Sequence, residues 1–297
     1  MRAAAILGLG CSAKDLKPFQ TDDAVEWRMG MPAAGDQADV ILLFGGDGTV
    51  HRHLGQLVKL GLPVLVVPAG SGNDFAHSLN LRSVRDSRAA WEKFRNGGGN
   101  VRPIDLGVIS FLAEAGGAPA PHSRSRYFCC VAGVGLDGEV ARRANNLPRW
   151  LRGHGGYVLS LVPTMATFAS QPMRISTPAE DASSGWMVRS DQPTLLAAFA
   201  NTPVYGGGMK IAPQAKMDDG LLDVCIVRAV NRLKLLSVFP TVYAGRHLGI
   251  REVNYFQAER ARVETEHPLD VYADGEYVCR TPVEISIQRP ALRVVTL

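Results

Sequence analysis

Two glycine-rich clusters and two acidic turns hold the residue types that could do chemistry. Gly45, Gly46 and Gly48 fall within four positions, with Asp47 among them and Thr49 next. Glycine lets the backbone take positive φ, and successive outward N–H groups form a concavity for anions, phosphate above all. Asp47 sits badly beside a phosphate unless a divalent cation lies between them, or its carboxylate meets a sugar hydroxyl or water. A plain Asp-Gly corner explains the same residues. The second cluster is Gly70, Ser71, Gly72, Asn73 and Asp74. Asn73 or Asp74 suits the N-cap of a following helix, and a helix N-terminus after a glycine loop is a second phosphate-binding surface. Neither cluster carries the Gly-Lys-Ser/Thr of a P-loop or the spacing of a dinucleotide fingerprint.

The acidic turns have bland readings too. Asp218-Asp219-Gly220 is a good turn, and an Asp carboxylate with nearby carbonyls is also a hard oxygen site for magnesium or calcium. Asp274-Gly275-Glu276 lies between alternating segments and reads as a hairpin turn. Such a turn still displays two carboxylates at a rim, where one could position and deprotonate a hydroxyl for phosphoryl transfer. Asp137, in Gly133-Val134-Gly135-Leu136-Asp137, is a candidate for an acceptor hydroxyl or headgroup, or else a turn residue.

The elements that must position these groups follow from hydropathy. Residues 40–44 and 62–67 are apolar runs ending in the two glycine clusters. Such runs read as buried strands of a parallel sheet, whose carboxyl ends are where open α/β sheets bind ligands. Two consecutive strands would set both clusters side by side on one rim. Residues 2–9 read as a further strand, and residues 84–95 as a surface helix. After Gly97-Gly98-Gly99 the pattern changes to short alternating segments, which suggest an antiparallel sandwich. These include separate segments at 187–189 and 194–200, and one at 283–288. Residues 113–125 read as a loop. Residues 141–170 combine Arg142, Arg143, Arg149 and Arg152 around Trp150 with an apolar helix at 157–168, a pattern suited to a membrane interface or to a solvated approach.

Composition limits the classes. The chain has 297 residues, 46% hydrophobic and 20% charged, with net charge +4. That supports a large core and about two domains, and the weak basicity argues for no nucleic-acid partner. Five cysteines form no C-x-x-C pair, so reduced buried thiols in a cytoplasmic protein are expected. No run is long enough to span a membrane. A homodimer is compatible with a sequence that does not specify oligomeric state.

Taken together, these motifs resemble the diacylglycerol kinase catalytic-domain family, which includes sphingosine and ceramide kinases and is related to NAD kinases. The resemblance continues through Ile104-Asp105, Gly133 to Asp137, Gly206 to Pro213, Asp218-Asp219-Gly220 and Asp274-Gly275-Glu276, in order over nearly the whole chain. It implies a Rossmann-like α/β nucleotide domain at 1–102, rejoined by a last strand within 289–297, and a β-sandwich lipid domain at 103–288, with a cleft between. It implies ATP held by Gly45, Gly46, Asp47, Gly48, Thr49, Gly70, Ser71, Gly72, Asn73 and Asp74, and magnesium near the phosphates. Glu276 is the implied proton acceptor, with Asp274 the close alternative or a metal partner, and Asp137 contacts the acceptor. A structural cation is implied at the Asp219 side chain and the Lys216 and Leu221 carbonyls. The implied activity is ATP-dependent phosphorylation of a lipid hydroxyl, diacylglycerol to phosphatidic acid, at the inner face of a membrane. NAD kinase-like or sphingosine-type activity, or a silent nucleotide or lipid sensor, are the competing readings. Two departures stand out. Gly8-Leu9-Gly10-Cys11-Ser12 replaces the family's Asn-Pro-x-Ser-Gly loop, and His51-Arg52-His53 stands where Asn-Glu is usual.

Overall fold

The computed structural model describes residues 1–21, 23–33, 37–112, 125–146, 156–179 and 185–297. The expected loop at 113–125, save Ser125, which begins a strand, lies outside the described residues, as do Arg149, Trp150 and Arg152. The chain divides into two compact units, Met1–Asp105 with Arg289–Leu297, and Leu106–Gln288. The sequence placed the first change at 102/103.

The first unit is a parallel sheet with helices. Strands β1 (Arg2–Leu7), β2 (Glu26–Met29), β3 (Val40–Gly45) and β4 (Pro63–Pro68) lie in the order β2-β1-β3-β4. Every residue of β3 is buried, as a central parallel strand requires. Its register sets Ala3 beside Val40 and Ile41 beside Val64. After Ala13–Leu16 (α1), the helices are α2 (Asp47–Leu60), α3 (Asp74–Ser78) and α4 (Val84–Arg95). Helix α2 buries Val50, Leu54 and Leu57 and stops at Gly61, which takes φ 61°. That left-handed residue is a common helix terminator. Helix α4 has the expected bounds but is no mere surface element. Trp91 is fully buried, and its indole N–H donates to the Phe19 carbonyl at 3.0 Å.

The second unit is built from antiparallel strands: β5 (Val101–Phe111, which enters from the first unit), β6 (Ser125–Phe128), β7 (Val131–Gly135), β8 (Gln171–Pro178), β9 (Trp186–Ala200), β10 (Leu222–Arg228), β11 (Val253–Ala258), β12 (Arg260–Thr265), β13 (Asp270–Ala273), β14 (Glu276–Arg280) and β15 (Val283–Val295). Helix α5 (Leu136–Asn145) follows β7, and further helices span Gly156–Thr167 and Arg232–Val238. Phe128, Phe199, Ile175 and Val263 anchor the buried core.

Two pairs of expected strands prove to be single strands. β9 passes through Pro193, and β15 through Pro290. Proline normally excludes a segment from a sheet interior because it has no N–H for the ladder. Here each sits where the strand changes partners. β9 pairs β8 up to Thr194 and β7 from Leu196. β15 pairs β12 up to Ser286 and then β4, in parallel, at Arg293 and Val294.

The basic cluster is also altered. Arg142 and Arg143 both bind Glu139 on α5, at 2.7 and 2.8 Å, so two of its four arginines are already paired. Hydrogen bonding from Arg142 above all, aided by Arg143, holds the Glu139 carboxyl down from 4.5 to about 2. A depressed carboxyl stabilises the fold above its unfolded value and loses that contribution as pH falls toward the folded one. Between pH 4.5 and 2 the wild type should therefore lose Tm more steeply than Glu139→Gln, as read by thermal melts across that range.

Candidate active site

The carboxyl ends of β1, β3 and β4 lie together in the first unit, and glycines are what let them meet. A Cβ on Gly46 would lie 2.4 Å from the Gly72 carbonyl oxygen and 2.9 Å from the Gly70 Cα. A Cβ on Gly70 would lie 2.3 Å from the Gly46 Cα. The two glycine clusters thus touch backbone to backbone. The first loop joins them: a Cβ on Gly8 would lie 2.6 Å from Thr49 Oγ1, and one on Gly45 would meet the same atom at 2.6 Å. The first residue of the altered loop at 8–12 is the glycine that packs against Thr49.

Three residues expected in a loop are helical. Asp47, Gly48 and Thr49 form the first turn of α2, with Gly46 as N-cap. The N-terminus of this 14-residue helix brings backbone N–H groups and the positive end of the helix dipole to the rim. Both the glycines and the helix end at this rim have the polarity that suits an anion.

Asp47 has a task that the sequence did not disclose. Its Oδ2 accepts the Asp74 N–H and its Oδ1 the Phe75 N–H, each at 3.0 Å. It caps α3 from the neighbouring loop. Asn73 occupies the N-cap position without a side-chain cap bond. It closes the loop instead, accepting the Gly70 N–H at 3.0 Å and donating to the Gly70 carbonyl at 2.9 Å. The expected phosphate surface at the start of α3 is therefore corrected: those amides serve Asp47. Asp74 is buried, while Ser71 and Gly72 remain exposed.

In the second unit, Asp274 and Gly275 form a two-residue hairpin loop between Ala273 and Glu276. Both take positive φ, 51° and 82°, as a primed hairpin turn demands. Asp274 Oδ1 accepts the Cys130 N–H at 2.8 Å and the Val131 N–H at 3.3 Å, and Oδ2 accepts the Cys129 N–H at 2.9 Å. So bonded, the Asp274 carboxylate ties the turn to residues 129–131. Glu276, the first residue of β14, is exposed.

Asp137 is buried at the start of α5, and a Cβ on Gly133 would lie 2.0 Å from its Oδ2. Its carboxylate packs closely over Gly133. Gly133, Gly135 and Gly138 have dinucleotide-fingerprint spacing that sequence reading passed over. β7 runs antiparallel to its neighbours, so the βαβ context that gives that spacing its meaning is lacking.

The other acidic turn keeps Asp219 half-buried and Lys216 and Asp218 exposed. Asp219 Oδ1 accepts the Leu221 N–H at 3.0 Å. Beside it lies a residue not singled out before, Asp223, fully buried on β10. Burial pushes its carboxyl up and the charge of Asp219 adds to this, while hydrogen bonds from Tyr255 and Gln257 oppose it. Adjacent carboxylates in a glycine turn fit a hard divalent cation. The available signal was an Asp inside an otherwise apolar strand.

The family matches fall in two parts, although the second runs on through 289–296, which belong to the first unit. Residues 13–109 match the family model described as diacylglycerol kinase catalytic domain. Residues 130–296 match the one described as YegS C-terminal NAD kinase beta sandwich-like domain. A Mycobacterium tuberculosis protein named diacylglycerol kinase is 33% identical over 263 residues, 89% of this chain and 78% of that protein. A Bacillus subtilis protein of the same name is 27% identical over 254 residues, 85% of this chain and 76% of that one. A crystal structure of a diacylglycerol kinase from Bacillus anthracis superposes with a TM-score of 0.65 at 18% identity, covering 100% of this chain and 96% of that one. An NAD kinase from Archaeoglobus fulgidus in complex with ATP gives 0.55 at 15% identity, covering 100% and 94%.

Proposed function

This chain belongs to the diacylglycerol kinase family, and from that premise we propose that it moves the γ-phosphoryl group of ATP onto the hydroxyl of diacylglycerol, giving phosphatidic acid. The observation that carries the reading is the contact of Gly46 with Gly70. It makes one continuous backbone surface out of two strand ends and a helix N-terminus, all suited to phosphate. Glu276 accepts the hydroxyl proton, and Asp274 fixes the turn that carries it. Magnesium, when bound, neutralises phosphate charge, and Asp219 with Asp223 and the carbonyls of Lys216 and Leu221 suits a second, structural cation.

Among the described residues no helix is long and apolar enough to cross a membrane, yet a lipid substrate requires contact with one. The run Arg232–Val238 and Phe239–Ala244 holds no buried residue although it is largely apolar. Leu233 is 82% exposed, Leu236 42% and Tyr243 37%. We assign this run to the bilayer surface, with Arg232 and Arg246 flanking it for anionic headgroups. Seating one leucine in the bilayer contributes about 2 kcal/mol. Leu233→Asp should weaken sedimentation with phosphatidylglycerol vesicles at least about tenfold, while turnover of a dispersed short-chain diacylglycerol is retained.

The deciding experiment supplies purified protein with labelled ATP and magnesium, and a lipid extract, sphingosine or NAD in separate reactions. Labelled phosphatidic acid is the expected product. Labelled NADP or sphingosine phosphate instead would replace the acceptor, and ATP binding without transfer to any of them would leave a nucleotide sensor.

A further inference from the structure

We propose that Cys129, Cys130 and Asp274 form a binding site for one thiophilic divalent cation of the zinc class, at the root of the turn that carries Glu276. Consecutive strand residues point to opposite faces, but these cysteines occupy the two-residue bend between β6 and β7, and both thiols reach one place. The Sγ atoms lie 3.9 Å apart, and Cys129 Sγ lies 3.3 Å from Asp274 Oδ2. All three ligand atoms fall within 4.8 Å of one another. Tetrahedral zinc, with bonds of about 2.3 Å to sulfur and about 2.1 Å to oxygen, separates two sulfurs by about 3.8 Å and sulfur from oxygen by about 3.6 Å. The Cys129–Cys130 and Cys129–Asp274 pairs already stand near those spacings.

The protonation pattern supports the same site. Cys130 S–H points to Cys129 Sγ, and Cys129 S–H to the Asp274 carboxylate. One dication can take the place of both thiol protons. Two S–H bonds break, two metal–sulfur bonds and one metal–oxygen bond form, and two protons leave to solvent. The cluster carries the same net charge before and after, so the exchange adds no uncompensated charge to a buried place. The backbone is held ready. Asn201 donates its Nδ2–H to the Cys129 carbonyl at 3.0 Å and its backbone N–H to the Cys130 carbonyl at 2.8 Å. Both cysteines are buried, and Asp274 is half-exposed and gives access from solvent. A second thiol pairing, Cys225 Sγ with His247 Nε2 at 3.9 Å, is a poorer site, because that nitrogen faces the Ile211 carbonyl at 3.1 Å.

Cadmium is a suitable probe, since thiolate ligation gives an ultraviolet charge-transfer band. Titrated into the reduced full chain, Cd²⁺ should raise that band to saturation at one equivalent. Cys129→Ser and Cys130→Ser should each abolish it, and Cys225→Ser should leave it. Zinc-edge X-ray absorption on the zinc-loaded wild type should show two sulfur neighbours and oxygen, a readout independent of how the variants fold. No saturable band, a band surviving in both serine variants, or a zinc shell without sulfur would overturn the site. The consequence for catalysis rests on the reading of Glu276 above, whereas metal binding does not. Zinc loading should change the rate of lipid labelling in wild type and not in Cys130→Ser, and an unchanged wild-type rate would overturn the coupling alone.

Discussion

Glu276→Gln should lower the rate of lipid phosphorylation by about 10²- to 10⁴-fold, the range in which removal of a general base falls, and leave ATP affinity unchanged. The side chains have the same size, but the amide cannot take the hydroxyl proton. The expectation rests on how the turn is held. Asp274 accepts three backbone N–H groups from residues 129–131, so the hairpin is tied to β7. Its positive-φ pair then sends the chain into β14 with Glu276 exposed at the first position. A base must be aimed to be effective, and here the aiming is done by the carboxylate next to it. Steady-state labelling gives kcat, and calorimetry gives the ATP affinity. Wild-type turnover in Glu276→Gln would remove this residue from the mechanism. A loss confined to KM would make it a binding residue.

The sequence disclosed much of this arrangement, for reasons that can be stated. Val40 to Phe44 and Pro63 to Val67 are apolar without interruption because both faces of a parallel strand are covered, and that pattern survives in one dimension. The glycines after them were legible because only glycine tolerates such close backbone approach. The tasks of the carboxylates were less legible. Asp47 reads as a phosphate-side residue until its partners are known, and those partners are amides 27 and 28 positions away. Asp274 likewise bonds residues nearly half the chain away. Hydrogen bonds between distant loops leave no periodicity behind. Trp91 looked superficial because its neighbours on α4 are charged, whereas one face of that helix is covered by the residues around Phe19. Pro193 and Pro290 broke continuous strands in two on paper, since their tolerance depends on a change of strand partner that lies outside local sequence.

Gly70→Ala should destabilise the first unit by more than about 2 kcal/mol and weaken ATP binding at least about tenfold. The new methyl would lie 2.3 Å from the Gly46 Cα and 2.6 Å from its N. Those are backbone atoms at the N-cap of α2, so no side chain can swing aside, and the two loops must separate. Separation also draws the Asp47 carboxylate away from the Asp74 and Phe75 amides, leaving polar groups unsatisfied. Gly55→Ala is the matching control. Gly55 is exposed inside α2, a Cβ there meets nothing within 4 Å, and its φ is ordinary. Alanine in a helix interior should stabilise by about 0.5–1 kcal/mol. Urea midpoints give both stabilities, and ATP titration gives affinity. The same chemical change in one unit should thus move stability in opposite directions, because one glycine is there for space and the other is not. If Gly70→Ala bound ATP as tightly as the wild type, the touching loops would not be the phosphate cradle.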